Sequence, residues 1–250
     1  EESIKALSRD QMQTYFDGRY SADNTTLAMA GKIDFDAVVA QVSELCGKWP
    51  AARPSRERAK PTTRSERLVL RDEKVNRAYM LALVDAPSVE DERRYAASLA
   101  MQILGGADNS RLHWALIEPG LAEQAQASYE GRDGTGEYFI FAAGDPERQE
   151  EIWERVEEEM AGLKDSLKEW DLERLRAKYA TSLTVGSERP ADRMQRLGRQ
   201  WLYRREYRPL EEELAKVNAV TLKDVRELLE AFPLSKRTVG VLLPGAETRP

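Results

Sequence analysis

The chain of 250 residues predicts an α+β fold, and three observations point there. β-rich runs cluster between Arg67 and Ala143, apolar residues fall at helical spacing from Pro146 onward, and a helix-then-strand pattern near the start returns near the end. A hydrophobic content of 41% is enough for a packed core.

Ser8, with Gln11 three residues later, has the signature of a capping box. It opens a helix through Met12, Tyr15 and Phe16, with Gly18 as the expected stop. Thr25 to Ala30 is β-rich and predicts a strand ending at Gly31. Asp34 then caps a helix carrying Phe35, Val38, Val39, Val42, Leu45 and Cys46 on one side. The single cysteine excludes an internal disulfide or a thiolate cluster, and its apolar setting reads as a core thiol. Residues 50–66 hold three prolines, many charges and almost nothing apolar, the composition of a linker. The chain thus divides into 1–49, a linker at 50–66, and 67–250.

Beyond the linker, Arg67 to Arg71 and Ala78 to Val84 read as strands, the second apolar enough for the middle of a sheet. A helix with Leu99, Ile103 and Leu104 ends at Gly105-Gly106, a pair that permits positive φ and close backbone approach. Asn109 or Ser110 caps a short helix starting near Arg111 and stopped by Pro119-Gly120. Leu121 to Tyr129 and Glu137 to Ala143 are strands joined by a glycine-rich loop, Glu130 to Gly136. Further on, Ile152, Val156, Met160 and Leu163 form one helical stripe, and Leu172, Leu175, Tyr179 and Leu183 another. Helices at 191–203, 210–217 and 221–232 and a strand from Arg237 to Leu243 complete the chain.

The repeat supports two equivalent lobes. Leu7 to Met12, Phe16 and Thr26 to Gly31 echo Val220 to Val225, Leu229 and Thr238 to Leu242. On this reading 1–49 is the C-terminal tail of a first lobe and 67–250 a nearly whole second lobe. The alternative is coincidence between two amphipathic helices.

Composition narrows the function. With 38 Lys and Arg against 44 Asp and Glu, the net charge of −6 disfavours binding to nucleic acid. No apolar run reaches the roughly 20 residues that span a bilayer, and Glu1-Glu2-Ser3 lacks the start of a signal peptide. Gly131, Gly134 and Gly136 join two strands, so they form a turn and not a phosphate loop. The acidic runs Glu147 to Glu159 and Glu211 to Glu213 read as solvated helix faces. Arg189 to Arg208, interspersed with Trp201, Tyr203 and Tyr207, is the best basic face; pairing with acidic helices is the favoured reading, contact with a peptide or partner the other. With one histidine and one cysteine, no nucleophilic triad is credible.

Several stretches, in order, resemble the C-terminal half of the pitrilysin/insulinase family of zinc metallopeptidases, which includes the mitochondrial processing peptidases. They are Leu7 to Gly31, Ile103-Leu104-Gly105-Gly106 through Ser110-Arg111-Leu112, Gly120-Leu121-Ala122, Asp171 to Lys178, and Val220-Thr221-Leu222-Lys223-Asp224-Val225. The resemblance implies two-layer α/β sandwich lobes, each a mostly antiparallel sheet with helices on one face, two in tandem forming half of a clam-shell around a peptide.

It also implies zinc held by H-x-x-E-H, an inverted zincin motif. This chain has only His113, followed by Trp114-Ala115-Leu116-Ile117, and it is read as an ordinary helix residue. No cofactor is expected in this chain; zinc is expected only in an N-terminal lobe or a partner. Active members carry an arginine and a tyrosine in the second lobe, where this chain has Ile117 and Glu123. Neither donates to a developing oxyanion, so no catalytic residue is expected here. Ser110, Arg111 and Tyr129 are the candidate substrate contacts.

The expected role is to enclose a peptide or protein substrate and help assemble the chamber. The partner is an N-terminal peptidase lobe in the same precursor or a separate subunit, and a dimer is expected. The alternatives are a pure assembly subunit of the same fold, or part of an active single-chain peptidase.

Overall fold

A computed structural model describes residues 2–54, 64–106 and 108–246. Its contacts divide the chain into two compact units, Glu1–Ala59 with Val185–Tyr207, and Lys60–Thr184 with Arg208–Pro250. Most of the linker expected at 50–66 lies outside the described residues.

The first unit contains helices α1 (Glu2–Lys5), α2 (Arg9–Arg19), α3 (Phe35–Cys46) and α7 (Pro190–Arg204). Ser8 and Gln11 close the expected capping box, each side chain bonding the other's backbone N–H. The helix runs past Gly18 to Arg19 and is capped at Tyr20, whose ring stacks on Phe16 at 4.5 Å. Glycine is only a weak helix breaker, worth about 1 kcal/mol, so the turn survives it.

Two expectations are corrected here. Thr25 to Ala30 is not a strand, because a strand requires a neighbour for its N–H and C=O groups and none pairs with it among the described residues. Cys46 is only half-buried, and α3 exposes Phe35, Val39 and Leu45 instead of burying them. Asp23 organises the end of this region: it accepts from the Ser21 hydroxyl and from the backbone N–H of Ala52 and Arg53. Those bonds, the Ser21 one foremost, hold its carboxyl below the usual range.

The second unit is the expected sandwich. Strands β1 (Arg67–Asp72), β2 (Ala78–Ala86), β3 (Gln124–Arg132), β4 (Thr135–Gly144) and β5 (Arg237–Pro244) form one sheet in the order β1-β5-β2-β4-β3. Only the β1–β5 pair is parallel. The apolar β2 lies in the middle, as its composition requires.

Period-2 alternation sends Met80, Ala82, Tyr138, Ile140, Val239 and Val241 to one face, all of them buried. Helices α4 (Arg94–Gly105), α5 (Gln149–Ser166) and α9 (Leu222–Ala231) supply the other half of the core through Leu99, Leu104, Ile152, Val156, Val225 and Leu228. Each such side chain contributes about 1.5–3 kcal/mol of burial. The helices α6 (Glu169–Glu188) and α8 (Leu210–Asn218) complete the set. The stripe Ile152, Val156, Met160 and Leu163 is buried throughout, while Glu150, Glu151, Glu154 and Glu158 are exposed and Glu157 and Glu159 half-buried.

The β3–β4 connection is tighter than the seven-residue loop expected. It is a two-residue turn, Asp133-Gly134, with Gly134 at φ 74°. Gly136 lies in β4, where a Cβ would stand 1.9 Å from the Pro87 carbonyl oxygen. The glycine is required by close approach and not by a loop.

Candidate functional site

The candidate residues gather around the segment from Gly105 to Tyr129. Helix α4 ends at Gly105, where a Cβ would lie 2.3 Å from the backbone nitrogen of Ala127 in β3. Gly106 has φ −59°, so close approach and not positive φ explains this pair. The left-handed conformation falls on Asn109, at φ 68°. Ser110 is then the cap: its hydroxyl accepts from His113 N–H at 3.3 Å, and it is almost wholly buried.

From His113 to Ile117 the short helix widens into a π-turn, with Glu118 N–H donating to His113 O at 3.0 Å. Leu121 and Ala122 both donate to the Leu116 carbonyl, so β3 begins only at Gln124 and not at Leu121.

Arg111 donates to the Ser166 carbonyl at 2.8 Å and to Asp171 Oδ2 at 3.1 Å. Arg174 donates to the Asn109 carbonyl at 3.2 Å, and Arg176 to the Val220 carbonyl. Three of the stretches singled out by resemblance therefore bind one another: the Ser110-Arg111-Leu112 run, the Asp171 to Lys178 helix and the Val220 to Val225 signature. No spacing rule in the sequence shows this, because the partners lie 44 to 65 residues apart.

Glu123 and Ile117 are the residues that the resemblance sets opposite a tyrosine and an arginine. Ile117 packs partly buried against the core. Glu123 is exposed, and its Oε1 pairs with Arg77 Nε at 2.6 Å. The topology explains the pair: β2 and β3 both run antiparallel to β4, so Arg77 and Glu123, each just before its strand, emerge at the same end of the sheet. The Glu123 hydrogen bond, then its charge, raises the Arg77 guanidinium above its ordinary range, and Asp145 adds to it. Sequence reading missed the Arg77–Glu123 pair, and only strand order reveals it.

Tyr129 is half-buried, with its hydroxyl donating toward the Pro87 carbonyl at 2.9 Å and the Ser88 carbonyl at 3.2 Å. Burial pushes its phenol up to about 12, against the opposing pull of Arg94. The folded value stands above that of the unfolded chain, about 10. The contribution is thus complete below pH 10 and is lost as pH rises toward 12. Equilibrium unfolding across that window is expected to show falling stability, and Tyr129→Phe to flatten the fall; an unchanged slope contradicts this assignment.

Zinc does not fit these residues. His113 is the only imidazole; its Nε2 lies 4.0 Å from Glu118 Oε2, and its ring meets the edge of Trp114 at 5.5 Å. Among the described residues no group of three or more His, Cys, Asp or Glu is arranged to hold a metal.

The sandwich, the glycine-closed α4–β3 contact and the ordered motifs agree with one family description, that of the peptidase M16 inactive domain, which matches residues 6–179. The chain belongs to the peptidase M16 family. It corresponds to the C-terminal M16 lobe of zinc protease-like proteins.

An uncharacterized zinc protease of Mycobacterium leprae is 26% identical over 254 residues, which cover 99% of this chain. The chain spans 57% of that relative's length. The M16 inactive domain of Pseudomonas fluorescens superimposes with a TM-score of 0.84 at 18% identity, covering all of this chain and 60% of that one. A chain of complex III2 from Candida albicans gives 0.82 at 17% identity, covering 96% and 60%. Among the described residues no helix of this M16 lobe is long and apolar enough to cross a membrane.

Proposed function

We propose that this M16 lobe is the non-zinc-binding, C-terminal part of a zinc peptidase-like protein, enclosing peptide substrate and assembling the chamber without hydrolysing peptides itself. The carrying observation is the Arg77–Glu123 pair. At the position of an oxyanion-stabilising tyrosine, the chain presents a carboxylate already bound to a cation, and a carboxylate repels developing negative charge. Ile117 supplies no donor in place of the arginine. The catalytic zinc then belongs to an N-terminal lobe of the same precursor or to a partner subunit.

In this reading 1–49 is the tail of a first lobe, 50–66 the linker and 67–250 the second lobe. The twin capping boxes support it, since Ser8/Gln11 of α2 and Thr221/Asp224 of α9 share one geometry. Exposure supports it too. Val225, Leu228 and Leu229 are buried, whereas their counterparts Met12, Tyr15 and Phe16 are 62%, 65% and 50% exposed. Those are core residues whose covering sheet lies outside this chain. Arg111 and Tyr129 are the substrate contacts in this scheme, each exchanging an internal carbonyl for a peptide group, and Ser110 positions Arg111 through its cap.

Metal analysis and peptide-hydrolysis assays of the purified chain test the proposal. Substoichiometric zinc and no turnover are expected alone, with turnover appearing when a chain carrying H-x-x-E-H is added; tightly bound stoichiometric zinc with turnover refutes it. A second reading, a pure assembly subunit, shares the carboxylate at position 123. Association only with non-peptidase chains in a pull-down selects it.

A further inference from the structure

Resting on the substrate-enclosing role proposed above, helix α7 bears on the class of peptide enclosed. Arg189 at its cap and Arg193, Arg196 and Arg199 within it recur at spacings of four, three and three residues. That spacing stacks them on neighbouring turns, so each arginine stands beside another arginine and not beside an acid. Arg189, Arg193 and Arg199 are exposed, and Arg196 is half-buried.

Arginines elsewhere find acidic partners. On α5, Arg148 pairs with Glu151 and Arg155 with Glu158. Further along the same basic stretch, Arg204 pairs with Glu206 and Arg208 with Glu92. Among the described residues no carboxylate closes an ion pair with the four arginines of the α7 row, the adjoining Glu188 and Asp192 included. Like charges at this spacing repel and weaken the helix that carries them.

The row is also turned away from the packing of its own unit. Helix α7 meets Ala28 through Gly198, where a Cβ would lie 3.3 Å from the Ala28 Cβ. At about 100° per residue, Arg189, Arg193 and Arg196 point roughly 140–180° away from Gly198, and Arg199 flanks them at about 100°. From Arg189 to Arg199 the helix rises about 15 Å, the reach of about four or five residues of extended peptide.

We propose that the arginine row of α7 is the recognition site for a short acidic segment of the peptide substrate, its carboxylates bridging neighbouring guanidiniums. The counter-charge that the helix lacks is then supplied from outside. A peptide fits better than a nucleic acid, because the overall charge of −6 repels a long polyanion while a short segment meets only the local positive field. Single exposed arginine–carboxylate contacts are weak, so recognition comes from the row acting together and falls as salt rises.

The test is fluorescence anisotropy of the 250-residue chain with three labelled probes: a peptide carrying a run of glutamates, the same peptide with glutamines in their place, and a single-stranded oligothymidylate. The glutamate peptide is expected to bind at least about ten-fold more tightly than either of the others, and to weaken as salt is raised. Combining Arg189→Gln, Arg193→Gln, Arg196→Gln and Arg199→Gln is expected to weaken it about ten-fold, while lysine at the same four positions keeps the binding. The melting temperature of the glutamine variant is expected to hold or rise, since repulsion is removed; a fall means that the arginines serve the fold, and overturns the proposal. Equal binding of the two peptides, or a glutamine variant that binds like the parent, overturns it too. Tighter binding of the oligothymidylate at the same arginines overturns the peptide as occupant, and self-association of the chain that the glutamine substitutions abolish gives the row to a second copy instead. None of these readouts needs zinc or turnover, so the hydrolysis assay of the substrate-enclosing role succeeds or fails separately.

Discussion

Gly105→Ala is expected to destabilise the protein by about 2–4 kcal/mol, lowering the melting temperature by roughly 5–15 °C. The sign is what makes this informative. Gly105 closes α4, and helix propensity alone predicts that alanine stabilises such a position by up to about 1 kcal/mol. The added Cβ, however, falls 2.3 Å from the Ala127 nitrogen and 2.8 Å from both the Ala127 Cβ and the Gln126 carbonyl carbon. Two of those atoms are backbone of a strand held in register by β4, so no flexible side chain moves aside. The helix must lift from the sheet and loosen Leu99, Ile103 and Leu104, all at most 2% exposed. Thermal and urea unfolding of the single variant decide it: a neutral or stabilising outcome would refute the close helix–strand contact.

Arg208→Ala is expected to cost about 2–3 kcal/mol, because it strips charged hydrogen bonds from a nearly buried network and leaves Glu213 with Arg94, at 3.8 Å, as its remaining cation. Arg208 is 7% exposed and donates to the Tyr95 hydroxyl at 2.9 Å, while Tyr95 donates to Glu213 Oε2 at 2.8 Å. Arg208 also pairs with Glu92 and Glu212, both at 3.3 Å. Burial on its own would lower the guanidinium, but the Tyr95 bond and the nearby acids outweigh it and raise it. Burial, then the bond to Glu213, raises the Tyr95 phenol well above its ordinary value. The network ties the start of α8 to the start of α4. Urea unfolding of Arg208→Ala, Glu213→Gln and the double variant is expected to show strong non-additivity, the double costing little more than either single. Simple additivity would mean that these groups act independently.

The basic stretch from Arg189 to Arg208 was legible as a choice between pairing and partner contact. Arg208 settles its own case by turning inward to Glu92, Glu212 and Glu213, and Arg204 pairs with Glu206 at 2.6 Å. The arginines of the family-like motifs behave similarly, binding carbonyls and carboxylates far away in the chain. Charge type was readable, but the partner was not, since it depends on which helices the topology brings together.

Local chemistry determined much by itself. Capping boxes at Ser8 and Thr221, the cap at Asp34 and the stripe of α5 act between residues a few positions apart, so the order of residues suffices to specify them. The single histidine, with no H-x-x-E-H, likewise needs no fold to be informative.

Tertiary structure alone decided the rest. Thr25 to Ala30 has the composition of a strand, yet pairing is a property of neighbours and not of propensity. Gly136 reads as loop glycine until Pro87 is found against it. Glu123 reads as a lost tyrosine until strand order places Arg77 at 2.6 Å from it. In each case the deciding atom belongs to a segment distant in sequence, and only folding brings it within reach.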